Sequence, residues 1–181
     1  SDNPIELSQA VNENRVFALW FNHNTHAHKK AGYRIVTLSL KRTGVAPGDI
    51  TSEQMHAVAD LVDQYSFGEL RTTHEQNLVL SDVRQDQLFA LWQQLSTLGF
   101  ATANIGMLTN IICCPGGDFC SLANAKSIPI ADQIQRRFDD LDEIRKDVTA
   151  FKEGLRAEID RQGGISELAR KTGIPQSSLS R

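Results

Sequence analysis

The apolar patterning of this chain predicts an α+β fold, and three observations carry the prediction. A β-branched run at Tyr33–Leu40 alternates as a strand does. Two later stretches, opening at Ser52 and Asp86, repeat apolar residues at helical spacing. Two short apolar runs, Leu70–Thr72 and Leu78–Leu80, lie between those helices and are separated by polar residues.

Taken in order, Pro4 to Val11 fits a short helix and Val16–Phe21 a strand or linker. Residues 1–30 are therefore expected to form an N-terminal extension. The strand from Tyr33 puts Tyr33, Ile35 and Thr37 on one face. Ala46-Pro47-Gly48-Asp49 is a turn. The helix from Ser52 aligns Met55, Val58, Ala59, Val62 and Tyr65, with Glu53 in the first turn, where a negative charge suits the helix dipole. Gly68 breaks it, and the two short strands flank the polar loop His74-Glu75-Gln76. The segment Asp86 to Leu98 then presents Leu88, Leu91, Trp92, Leu95 and Leu98 on one face, and Gly99 ends it. Strand, helix, strand, strand, helix is a split βαβ, ferredoxin-like pattern. Its expected core is Val36, Leu38, Leu40, Val58, Leu61, Val62, Leu88, Leu91 and Leu95. Each such side chain contributes roughly 1.5–3 kcal/mol on burial.

Composition narrows the classes. With 40% hydrophobic and 23% charged residues, the 181-residue chain supports a packed core and is not globally disordered. It contains no apolar run of membrane-spanning length. Three cysteines, two of them adjacent, make no disulfide framework, which points to a reducing compartment such as the cytoplasm. The net charge of −3 is uneven. Residues 145–181 hold eight basic and five acidic side chains, hence +3, against −6 for residues 1–144. Such a break suggests two units with different partners.

Beyond Gly99 the chain leads into Cys113-Cys114-Pro115-Gly116-Gly117-Asp118-Phe119-Cys120. A helix is predicted to follow, with Ile130, Ile134, Phe138 and Leu141 as its stripe. Cys114 and Cys120 form a C-x5-C pair on a Pro/Gly-rich loop, a pattern that suits thiolate binding of a soft iron centre. The spacing alone fits equally a pair of buried small hydrophobes. Cys113 reads as a packing residue, because adjacent cysteines make a strained disulfide. His23, His26 and His28 lack an evident fourth ligand for zinc and read as a solvated loop or the edge of a pocket.

The stretch Thr109–Ala123 around the cysteines resembles the first cluster motif of the siroheme-dependent sulfite/nitrite reductase hemoproteins. Arg71-Thr72-Thr73-His74-Glu75-Gln76-Asn77-Leu78 resembles that family's R-x-T-x-x-Q-N-L signature. The likeness runs from about Trp20 to Ile144, most like the second of the family's two half-repeats, so that 31–144 would be one half-domain with its first cysteine pair. The resemblance implies six-electron reduction of sulfite or nitrite, fed by an external electron donor, at a siroheme bridged through a cysteine sulfur to a 4Fe–4S cluster. It implies Arg71 as a partner for siroheme carboxylates, Thr73, Gln76 and Asn77 as its hydrogen-bonding neighbours, and Cys114 and Cys120 as metal ligands. The family carries a second pair, C-x3-C, about forty residues further on, as four thiolates require. This sequence has no cysteine after Cys120. Cluster and siroheme are thus expected to be absent from the isolated chain, and catalysis to depend on another chain.

The tail, about Val148–Arg181, resembles the start of a helix-turn-helix of the phage-repressor and antitoxin type. Ala169 stands at the helix crossing, Gly173 in the turn, Ile174 and Leu179 toward a small core, and Pro175 in a first turn. That resemblance implies DNA contacts from Gln176, Ser177, Ser178 and Arg181. An ordinary helical hairpin with a basic surface fits the same residues. A DNA-binding regulator is therefore the competing reading, and homo-oligomerisation fits either.

Overall fold

The computed structural model describes residues 4–145 and, beyond them, 156–157, 160–161, 163–164, 167 and 170. The chain divides into two compact units, Ser1–Arg136 and Arg137–Arg181. In the second, described residues are largely helical, and Arg170 Nε donates to Glu167 Oε2 at 2.9 Å. Ile174, Leu179 and the residues named for DNA contact lie outside the described residues. No helix among the described residues is long and apolar enough to cross a membrane.

The first unit opens with α1 (Pro4–Glu13) and α2 (Arg15–Asn24). The strand or linker expected at Val16–Phe21 is thus a helix. Asn14 caps it by accepting from the Phe17 amide at 2.9 Å. Phe17, Trp20 and Phe21 follow helical i, i+3, i+4 spacing, and Phe17 and Trp20 are fully buried. The Phe17 ring packs 5.8 Å from Trp20, 5.1 Å from Phe89 and 5.4 Å from Trp92. The segment expected to be an extension therefore closes one end of the core.

Four strands follow: β1 (Thr25–Ala27), β2 (Tyr33–Leu38), β3 (Leu70–Thr72) and β4 (Leu78–Arg84). They form one antiparallel sheet in the order β1-β2-β4-β3. Its central register pairs Val36 with Leu80 and Leu38 with Leu78, and Arg71 sits opposite Val79. The ladder of β2 stops two residues before the expected Leu40. There the Ser39 amide turns to the Phe100 carbonyl, 3.1 Å, and the Leu40 amide to Asn77 Oδ1, 3.0 Å.

Helix α3 (Ser52–Tyr65) starts with a reciprocal cap. Gln54 N–H donates to Thr51 Oγ1 at 3.2 Å, and Thr51 N–H donates to Gln54 Oε1 at 3.1 Å. Helix α4 (Leu88–Leu98), entered through a short 3-10 turn at Gln85–Gln87, ends at Gly99, whose φ of 83° is left-handed. The core residues named above are all buried, joined by Leu80, Val83, Tyr65 and Phe100.

Helix α5 (Ile128–Arg145) forms where expected, but its buried face differs. Ile130 is 58% exposed, whereas Ala131 and Gln135 are 3% and 0% exposed. The side chain that reaches inward is an amide because it meets backbone carbonyls there, as described next.

Candidate functional site

The turn between β3 and β4 brings the signature residues to one end of the sheet. Thr73 N–H donates to the Asn77 carbonyl at 3.0 Å, and Asn77 N–H donates to Thr73 Oγ1 at 3.1 Å, closing the hairpin. Gln76 takes a left-handed φ of 58° in that turn and packs over Gly48. Gly48 itself has a φ of 87°, and a Cβ there would come within 3.0 Å of Gln76 Cβ. Both the conformation and the close approach call for glycine at 48.

From this corner a net of buried and half-buried polar side chains holds the cysteine segment. Gln76 Nε2 donates to the Cys113 carbonyl at 2.8 Å, while Cys113 N–H donates to Gln76 Oε1 at 3.0 Å. Lys41 Nζ donates to the same Oε1 at 3.0 Å. Asn77, buried, accepts from Leu40 N–H and donates to Asn110 Oδ1 at 3.0 Å; Asn110 donates to Glu75 Oε2 at 3.1 Å. Asn104 accepts from Ser39 Oγ at 2.7 Å and donates to the Lys41 and Thr109 carbonyls. Gln135 of α5 donates to the same two carbonyls, each at 3.3 Å. A segment lacking regular ladders keeps its backbone groups paired this way.

Charge in this corner is shaped by burial. Lys41 is 1% exposed, and desolvation pushes its ammonium down to about 8, opposed by Cys113 and Glu75. Burial likewise pushes the Cys113 thiol up, with Cys114 adding to the effect and Lys41 opposing it. Cys113 is buried, as its packing role requires, while Cys114 and Cys120 are exposed free thiols. An apolar groove of about 370 Å³, lined among others by Ile112, Cys114, Ser127, Ile130 and Ile134, runs between the cysteine segment and α5. The chain around the thiols is tightened by Gly117 N–H donating to the Ala125 carbonyl at 2.8 Å, and it leaves Phe119 and Leu122 76% and 88% exposed.

Thr73, Gln76 and Asn77 thus lie together, and Gln76 joins the signature to the cysteine motif. Arg71, exposed on the edge strand β3, turns instead to Glu69, with Nε donating at 2.8 Å. The histidines separate: His23 Nδ1 lies 3.3 Å from the Ile105 carbonyl, His26 is exposed on β1, and His28 Nε2 lies 3.2 Å from Asp82. Among the described residues no three His, Cys, Asp or Glu side chains converge as a metal site. Two thiolates do not fit a four-ligand cluster, so the cluster does not fit these residues on their own. Lys41, Asn104 and Gln135 escaped the sequence reading, and Asn110 entered it only as part of the cysteine motif. Isolated polar residues far apart in the chain carry no periodic signal.

The four-stranded antiparallel sheet and the helices that cover it have the ferredoxin-like pattern. Within it, residues 26–98 match the nitrite/sulfite reductase ferredoxin-like half domain. The chain is 30% identical to sulfite reductase (ferredoxin) 1 of Mycolicibacterium paratuberculosis, over 65% of its own length and 22% of that protein. It is 29% identical to the chloroplastic ferredoxin–nitrite reductase of Zea mays, over 72% of this chain and 24% of the relative. It is also 29% identical to the ferredoxin–nitrite reductase of Synechococcus elongatus, over 63% and 22%. The chain thus spans under a quarter of the length of these curated relatives. The half-domain match ends at residue 98 and lends no support to DNA binding by the tail.

Proposed function

We propose that this chain is one part of a siroheme- and iron–sulfur-dependent sulfite or nitrite reductase, supplying one half-domain and the first cysteine pair, and that it is inactive alone. The observation that carries the reading is the pairing of Gln76 with Cys113, which joins the two motifs of the resemblance in space. In this reading Cys114 and Cys120 bind iron, and a further chain segment supplies the remaining ligands. Arg71 meets the cofactor's carboxylates. Its present partner does not prevent that, because an exposed ion pair contributes only about 0–1 kcal/mol. Thr73, Gln76 and Asn77 border the cofactor and hold the site's backbone. Ferredoxin, which appears in the relatives' names, is the proposed electron donor to the assembled enzyme.

Anaerobic reconstitution with iron and sulfide, followed by electron paramagnetic resonance of the reduced sample, tests this. The isolated chain should take up fewer than about four irons, show no cubane signal and reduce neither sulfite nor nitrite. Cys114→Ser and Cys120→Ser should each lower what iron it binds. A full cubane signal would overturn the proposed inactivity on ligand count. Iron uptake indifferent to both substitutions, beside salt-dependent DNA binding, would favour the regulator instead.

A further inference from the structure

The Gln76 amide bridges the two backbone groups of one residue: its oxygen accepts from Cys113 N–H and its nitrogen donates to the Cys113 carbonyl. An amide rotated by half a turn would set donor against donor and acceptor against acceptor. The direction of the amide therefore matters, and Lys41 reinforces it. An ammonium only donates, so the atom 3.0 Å from Lys41 Nζ must be the oxygen. Lys41 in turn has little freedom. It is buried, and its own carbonyl is held by Asn104 and Gln135. The turn that carries Gln76 holds a left-handed residue against Gly48, strain of the kind that persists where the surroundings over-determine it.

We propose that Lys41 and Gln76 are positioning residues for the first cysteine segment: Lys41 reinforces the direction of the Gln76 amide, and the amide fixes the backbone on both sides of Cys113 so that Cys114 is presented to the adjoining groove. Cys114 as a metal ligand rests on the reading above; the clasp does not. Its consequence is that the site's backbone is arranged before any metal arrives, which lowers the ordering cost of binding.

The test uses the metal-free chain. Native-state hydrogen exchange reads the Cys113 amide, with the Leu80 amide as a core control, and alkylation in a Cys120→Ser background reads Cys114. Gln76→Asn keeps a residue that tolerates left-handed φ but shortens the amide's reach. It should speed Cys113 exchange by about tenfold or more while Leu80 is unchanged. Lys41→Met, which removes one of the contacts that favour this amide direction, should speed it about threefold and alter Cys114 alkylation; Lys41→Arg, which only donates, should restore both. Cys113 exchange within about twofold of wild type in Gln76→Asn, or equal in Lys41→Met and Lys41→Arg, overturns the proposal. If Lys41→Met speeds Leu80 exchange as well, Lys41→Leu, which also lacks a donor, replaces it under the same criterion. Iron enters neither readout, so iron uptake indifferent to Cys114→Ser and Cys120→Ser would sink the functional reading and leave this one standing.

Discussion

Residues 15–98 and residues 101–127 are held together by different physics. The first region is built on apolar burial, with Trp20, Leu38, Leu80 and Leu95 fully enclosed and strands that satisfy one another. The second has one 3-10 turn at Gly116–Asp118, exposes Ile112, Phe119 and Leu122, and is fastened by amide side chains borrowed from elsewhere in the unit. Hydrophobic burial is non-directional and tolerates small shifts. Hydrogen-bonded amides fix backbone atoms to tenths of an ångström but fail when one partner goes. The first region thus carries its own apolar core, whereas the cysteine segment depends on side chains from outside it for its placement.

The harshest test of that contrast is Trp20→Ala. If α2 belongs to the core, the substitution should cost about 3–5 kcal/mol in denaturant unfolding, with both regions lost in one transition. A loss under about 1 kcal/mol would return residues 15–24 to the status of an extension.

Next in size is Asn77→Ala, which strands the Leu40 amide and leaves Asn110 short of a partner. About 1–3 kcal/mol is expected. Limited proteolysis should then cut between Asn104 and Leu122 before it cuts the sheet. Cleavage in the sheet first would show that the two regions share their stability.

Lys41 gives a pH-dependent version of the comparison. Its folded value of about 8 lies below the ordinary 10.5. Below pH 8 the ammonium is charged in both states and its burial disfavours folding. Between about 8 and 10.5 the folded chain sheds that proton first, so folding gains as pH rises. The wild-type melting temperature should climb relative to Lys41→Met from pH 7 to 9.5. A flat difference would mean that Lys41 reaches water.

Arg71→Ala should matter least to the fold, within about 0.5 kcal/mol, since Glu69 is its exposed partner. A larger loss would make Arg71 a structural residue and weaken its proposed part in cofactor binding.

What the sequence made legible follows the same division. Periodicity exposed Val58, Leu61 and Val62 of α3 and Leu88, Leu91 and Leu95 of α4, because one face of each meets the core. It misjudged Val16–Phe21, where a dense aromatic run hides its period and only Asn14 marks the start. It also put Ile130 in the buried stripe of α5, where Gln135 goes instead, drawn by two backbone carbonyls. Resemblance found Gln76 and Cys114 as separate motifs; that one amide links them needed coordinates. Partners such as Lys41 and Gln135, 94 residues apart, leave no local trace.

The sheet's outer strands, β1 and β3, are three residues each. So short an edge offers few unpaired backbone groups, and Arg71 sets a charge in the middle of one of them. Strands of this kind are poor templates for edge-to-edge growth. Self-association through strands added to this sheet is thus disfavoured.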